Sequence, residues 1–111
     1  MIRVEIKKIG DSVVGLYSKG HAPKEFGEKG NNVLCAAVSS LLQTLLLYLK
    51  KEKLVSAHTM KPGFLDFSLL EKRNPRAEIV IEHAFSFVYG GLENLQAQYP
   101  NEIELKTVII S

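Results

Sequence analysis

The chain of 111 residues has a single cysteine, Cys35, no tryptophan and a formal net charge of only +2. One cysteine excludes an internal disulfide and favours a reducing compartment. The small net charge does not indicate nucleic-acid binding. Residues 1–10 alternate charged and apolar side chains, so they do not resemble a secretory signal peptide. We therefore expect a cytoplasmic protein without a direct nucleic-acid partner.

The sequence also lacks a long uninterrupted apolar run. Its most apolar segment covers residues 33–49 and includes Ser39, Ser40, Gln43 and Thr44. A membrane span needs about 20 predominantly apolar residues, so this segment predicts a buried helix and no membrane partner. Hydrophobic residues make up 46% of the chain, which is enough for the core of one domain, residues 1–111.

Five segments have the pattern of β-strands. Residues 2–9 alternate apolar and charged side chains, which indicates a half-buried strand. Residues 12–18 follow a Gly10-Asp11 turn and complete a hairpin. Residues 54–60 and 64–70 flank a Lys-Pro-Gly turn, and residues 102–110 form a last strand.

Two segments have helical spacing. The first begins near Val33 with Asn31 or Asn32 as its cap, and its wide apolar surface predicts contact with a sheet and with a partner subunit. The second begins at Asn74-Pro75 and ends before Pro100. Within it, Gly90-Gly91 predicts either close packing or a kink, because glycine costs about 1 kcal/mol in a helix interior. The order β-β-α-β-β-α-β predicts an α/β (α+β) domain with a mixed sheet.

Several motifs carry little functional signal. Residues 15–22 have the glycine spacing of a P-loop but lack its lysine and its hydroxyl residue. A zinc site is not indicated, since Cys35, His21, His58 and His83 lie far apart without the short spacing of zinc motifs.

Cys35 is the strongest candidate nucleophile because it falls in the first turn of the predicted first helix. The free N–H groups there carry about half a positive charge, which stabilises a thiolate. They can also bind the oxyanion that forms at an attacked carbonyl. A small buried side chain is the alternative interpretation.

His21 is the candidate proton shuttle. It ends a predicted strand and begins the long loop 22–34, in which Gly27 and Gly30 allow the chain to move around a substrate. A histidine at a strand end can face a helix N-terminus and act as base and then as acid. A solvated loop histidine is the alternative.

These residues resemble a known family. Gly20-His21-Ala22, a glycine-containing loop and the run from Gly30 through Cys35 to Ser39 are similar to the signature of the ribosomal-processing cysteine proteases, Prp. GGLENLQAQYP, residues 90–100, is similar to the family's second helix. The resemblance implies a mixed sheet of about five strands packed between two helices. It also implies a homodimer.

The resemblance further implies a function and a set of site residues. The function is a cofactor-free and metal-free cysteine endopeptidase that removes an N-terminal extension from large-subunit ribosomal protein twenty-seven. His21 and Cys35 correspond to the catalytic dyad, and the supporting residues are Gly20, Gly30, Asn32 and Ser39. Asn32 replaces the family's usual acid. Its side-chain oxygen can still cap the helix or orient the histidine, but it supplies no charge to an imidazolium.

Two other functions fit the same residues. One is a non-catalytic, ribosome-associated protein-binding module in which Cys35 only packs. The other is a redox-sensing thiol, although the chain holds no resolving cysteine. Cysteine reactivity and the effect of removing His21 distinguish them from a protease.

Overall fold

The computed structural model describes residues 1–22, 25, 27 and 32–110. The turns and caps expected from the sequence divide this part of the chain into seven elements: β1 (Ile2–Ile9), β2 (Ser12–Lys19), α1 (Val33–Lys51), β3 (Val55–Lys61), β4 (Phe64–Leu69), α2 (Pro75–Gln98) and β5 (Ile103–Ile109). The predicted order β-β-α-β-β-α-β is confirmed, and the boundaries agree to within two residues.

The five strands form one mixed sheet in the order β3-β4-β2-β1-β5. The two hairpins are antiparallel, and β4 pairs antiparallel with β2. Only β5 runs parallel to its neighbour β1, because α2 carries the chain across the sheet between β4 and β5. The consequence for the site is that the turn between β3 and β4 lies beside the end of β2.

One face of the sheet is apolar and the other is polar. Ile6 lies opposite Leu16, and Leu16 lies opposite Phe67, so these buried side chains form one continuous inner layer. On the outer face, Lys7 Nζ donates a hydrogen bond to Asp66 Oδ1 at 2.7 Å. The alternation of buried residues along β1 and β4 therefore gives the sheet a single face for packing.

Both helices pack on this apolar face, which corrects the expectation of a sheet between two helices. Their buried side chains belong to the same core cluster as those of the sheet. The helices also contact each other directly where Leu41 of α1 lies against Gly91 of α2. The outer face carries charged side chains such as those of Lys7 and Asp66 and is not covered by either helix.

The first helix has the buried stripe that the sequence predicts. Its buried residues recur every three to four positions: Leu34, Val38, Leu42, Leu45, Leu46 and Leu49. Length and composition alone would also allow this helix to cross a membrane. In the fold, this stripe packs against the sheet and α2, as expected of the core helix of a globular domain.

The second helix passes through Gly90 and Gly91 without interruption. A Cβ at Gly91 would lie 3.1 Å from one terminal carbon of Leu41, whereas a Cβ at Gly90 would have nothing within 4 Å. The prediction of close packing is therefore confirmed for Gly91, and the alternative of a kink is not.

Candidate active site

Three separate segments of the chain meet around a cavity of about 70 Å³ at one end of the sheet. The segment that follows β2 supplies His21, the first turn of α1 supplies Cys35, and the β3–β4 turn supplies Gly63. His21 is exposed and Cys35 is half-buried. The structure thus brings together the two residues that the sequence singled out, on a surface that a substrate can reach.

Cys35 is the third residue of α1, and its sulfur receives a hydrogen bond. The backbone N–H of Ala22 donates to Cys35 Sγ at 3.1 Å. A neutral thiol is a weak acceptor, whereas hydrogen bonds to an ionised acceptor are shorter and about twice as strong. The Ala22 N–H therefore holds the Cys35 sulfur in place at the start of α1.

Asn32 is buried, with 7% of its surface exposed, and joins the helix to the preceding loop. Its Oδ1 accepts a hydrogen bond from the Cys35 backbone N–H at 3.0 Å, so the predicted cap of α1 is confirmed for Asn32. Its Nδ2 donates to the carbonyl oxygens of Ala22 at 3.3 Å and Gly27 at 3.1 Å. Asn32 therefore positions the residue after His21, and a carboxylate could not donate these two bonds.

The cap restricts which N–H groups of the helix start remain open to a substrate. The Cys35 N–H is engaged by Asn32 Oδ1, and the Ala36 N–H donates to the Asn32 carbonyl at 3.0 Å. Among the described residues, the N–H groups of Val33 and Leu34 make no hydrogen bond. Within the described residues, the N–H groups of the helix start that can donate to a substrate are therefore those of Val33 and Leu34.

His21 is held at its backbone and at its ring. Its carbonyl oxygen accepts a hydrogen bond from the Met1 α-amino group at 3.0 Å. Its imidazole lies against Gly63, with Nε2 and Cε1 closest to that residue. The two candidate side chains share the cavity without a direct hydrogen bond between them among the described contacts.

Gly20 has a clear conformational role. Its φ angle is +121°, and a Cβ there would overlap the Met1 carbonyl oxygen. Its backbone N–H donates to the Gly63 carbonyl at 3.0 Å. Gly20 therefore supports the site through its backbone. Gly30, also predicted as a supporting residue, lies outside the described residues, as does most of the loop 22–34.

Ser39 lies one helical turn after Cys35 and lines the same cavity, as its spacing predicts. Its side chain is exposed, and the hydroxyl makes no hydrogen bond within the described part of the chain. Other lining residues were not identified from the sequence, because they come from distant segments: Ile2, Met60, Lys61, Gly63, Phe64 and Leu65.

The other two histidines lie elsewhere. His58 is exposed on β3, and His83 is exposed on α2. Within residues 1–22, 25, 27 and 32–110, no three histidine, cysteine, aspartate or glutamate side chains are close enough to hold a metal ion.

Comparison with known proteins identifies the family. The model of the family "Cysteine protease Prp" matches residues 1–104. The chain belongs to the Prp cysteine protease family. This confirms the resemblance to the Prp proteases over nearly the whole chain.

Solved structures agree with this Prp fold. The ribosomal processing protease Prp from S. aureus, in complex with a covalently linked product peptide, has a TM-score of 0.75 at 19% identity, covering 97% of this chain and 100% of that one. The same protease with a substrate peptide gives a TM-score of 0.71 at 19% identity, with the same coverage. SMU.848 from Streptococcus mutans has a TM-score of 0.73 at 23% identity, and the match covers 98% of this chain and 95% of that one. No curated protein sequence is significantly similar to the chain.

Proposed function

We propose that this Prp protein is a cytoplasmic endopeptidase that removes an N-terminal extension from the precursor of a large-subunit ribosomal protein. Cys35 is the nucleophile and His21 is the proton shuttle. One observation carries the proposal: the Cys35 sulfur lies at the N-terminus of α1, receives the Ala22 N–H at 3.1 Å and shares a cavity with the His21 imidazole.

The chemistry follows from these positions. His21 takes the thiol proton, and the Cys35 sulfur attacks the scissile carbonyl carbon to give a tetrahedral oxyanion. When the C–N bond breaks, the imidazolium returns its proton to the leaving amine and a thioester remains. A water molecule, deprotonated by His21, then attacks the thioester and releases the new carboxyl terminus and the Cys35 thiol.

The oxyanion needs donors that are not already used. Within the described part of the chain, the Val33 and Leu34 N–H groups are the donors of the first turn of α1 that make no hydrogen bond, and they lie at the positive end of the helix dipole. We assign the oxyanion to these groups, since the Cys35 N–H is engaged by the Asn32 cap. Each preorganised donor of this kind typically contributes about 3 kcal/mol to transition-state stabilisation.

An extended peptide is the substrate class that the comparisons favour. The S. aureus protease was solved with a covalently linked product peptide and with a substrate peptide. Here, the cavity opens between the exposed His21 and the exposed Ser39, so a chain can pass over Cys35 without entering the core.

The test is incubation of the purified protein with the ribosomal precursor, followed by mass spectrometry of the products. We expect a shortened precursor with wild type and with Ser40→Ala, a control at an exposed position of the same helix. Cys35→Ala should give none while retaining the melting temperature. Cleavage by Cys35→Ala would overturn the assignment of the nucleophile. Precursor binding without cleavage by wild type would favour the non-catalytic binding module.

The same proposal includes a homodimer. Between α1 and α2, on the side away from the sheet, lies a groove of about 510 Å³ lined by Tyr48, Ile79, His83 and Phe87 among others. Phe87 is 86% exposed and Ile79 is 56% exposed, and exposed apolar clusters of this kind mark interaction sites. A second copy would cover both with matching apolar side chains across a two-fold axis.

Analytical ultracentrifugation tests the dimer. Phe87→Glu places a charge in the groove and should shift the protein to monomer. Ile110→Glu changes an exposed apolar residue near the end of β5 and should leave the association unchanged. A wild-type monomer at micromolar concentration would contradict the dimer.

A further inference from the structure

We infer that Gly63, in the turn between β3 and β4, is a positioning residue for the His21 imidazole; the inference rests on the proposed function of His21. The ring lies directly against Gly63, and both residues line the cavity that holds Cys35. Gly63 thus forms the wall that keeps the ring on the cavity side.

Only glycine fits this wall. A Cβ at Gly63 would overlap His21 Nε2 and lie 2.5 Å from Cε1, closer than non-bonded atoms approach. The φ angle of Gly63 is +71°, in the left-handed region that side chains other than glycine rarely adopt. The ring is the free end of a flexible side chain, so a methyl group would displace the ring rather than the backbone.

The wall is fixed to β2 and to Gly20, which directly precede His21. The Gly20 N–H donates to the Gly63 carbonyl at 3.0 Å. In the adjacent strand pair, Lys19 of β2 lies opposite Phe64 of β4. The turn is therefore tied through the sheet to Gly20, the residue before His21, whereas Ala22, the residue after it, is held by Asn32 and Cys35. This fixed relation distinguishes a positioning contact from accidental proximity.

Gly10 provides a matched control. It lies in the turn of the other hairpin, between β1 and β2, and has a φ angle of +59°. A Cβ at Gly10 would have nothing within 4 Å. Gly10→Ala and Gly63→Ala therefore impose the same kind of backbone strain, but only Gly63→Ala displaces the imidazole.

The experiment compares these two variants with wild type by three measurements. We expect the melting temperature to fall by similar amounts in both variants. The kcat for precursor cleavage should fall roughly ten- to a thousand-fold in Gly63→Ala alone, since general acid–base catalysis contributes about a hundred- to ten-thousand-fold and a displaced ring loses part of it. KM should change little. The NMR signal of His21 Cε1–H should shift in Gly63→Ala alone, while that of His83 stays constant.

The outcomes separate the inference from the proposed function. An unshifted His21 signal in Gly63→Ala, or a kcat equal to that of Gly10→Ala, would overturn the positioning role. If the wild type cleaves no precursor, the proposed function fails. The NMR comparison then still decides whether Gly63 sets the position of the ring.

Discussion

Replacing Asn32 by aspartate should destabilise the protein, although aspartate is as good a helix cap as asparagine. The carboxylate can still accept the Cys35 N–H, but it has no N–H to donate to the Ala22 and Gly27 carbonyls. Two amide–carbonyl hydrogen bonds contribute about 1 kcal/mol each. The added negative charge at the helix start offsets only about 0.3–1 kcal/mol of this loss in stability. The new oxygen also faces two carbonyl oxygens in a buried position.

The expected net loss is about 1–3 kcal/mol, which corresponds to a fall of about 4 °C in melting temperature per kcal/mol for a domain of this size. Urea unfolding at pH 7, followed by circular dichroism, measures the free energy of unfolding directly. Alkylation of Cys35 by iodoacetamide should also change, because the Ala22 N–H that contacts its sulfur belongs to the segment that Asn32 holds.

Asn74→Asp is the matched control for this substitution. Asn74 caps α2 by accepting the Ala77 N–H at 2.8 Å. Its side chain is exposed, and within the described residues its Nδ2 makes no hydrogen bond. Aspartate at this position keeps the cap, and its charge interacts favourably with the helix dipole. The free energy of unfolding should therefore stay equal or rise by up to about 1 kcal/mol. Two results would refute this explanation. One is an Asn32→Asp variant as stable as wild type, and the other is a change in the free energy of unfolding with the same sign in both variants.

Two further predictions concern the stability of the fold. Gly90→Ala should stabilise α2 by about 1 kcal/mol, whereas Gly91→Ala should gain less because its methyl group meets Leu41; equal gains in urea unfolding would contradict this packing. Arg73→Met should cost on the order of 2 kcal/mol, because the 3% exposed Arg73 side chain donates to the Val13 carbonyl at 2.6 Å. A melting temperature equal to wild type would show that water replaces the guanidinium.

The sequence predicted the elements well because their limits depend on local chemistry. Asn32 and Asn74 cap their helices through bonds that span three residues, so the signal lies within a few positions. The placement of both helices on one face was not anticipated, although residues 2–9 carried the signal. Their charged alternate positions, Arg3, Glu5 and Lys7, require one face of the sheet to stay free of a helix.

The candidate site was predictable only in part. Cys35 could be placed at a helix start from the cap, and His21 at the end of a strand. The contact between His21 and Gly63 depends on β4 lying beside β2, which no local pattern reveals. For the same reason, the donor to the Cys35 sulfur could not be identified, since the Ala22 N–H reaches it across the loop 22–34.

The two halves of the site are therefore held by different parts of the fold. Asn32 links Cys35 to the Ala22 segment through side-chain hydrogen bonds, whereas the ring of His21 is positioned by the β3–β4 turn through the sheet. Substitution of Asn32 should change stability and sulfur reactivity together. Gly63→Ala should displace the imidazole and lower stability only as much as Gly10→Ala does. Because Asn32 acts through the Ala22 carbonyl and Gly63 through the His21 ring, their effects on stability should add in the double variant. Strong coupling would mean that the loop, rather than the sheet, sets the position of the histidine.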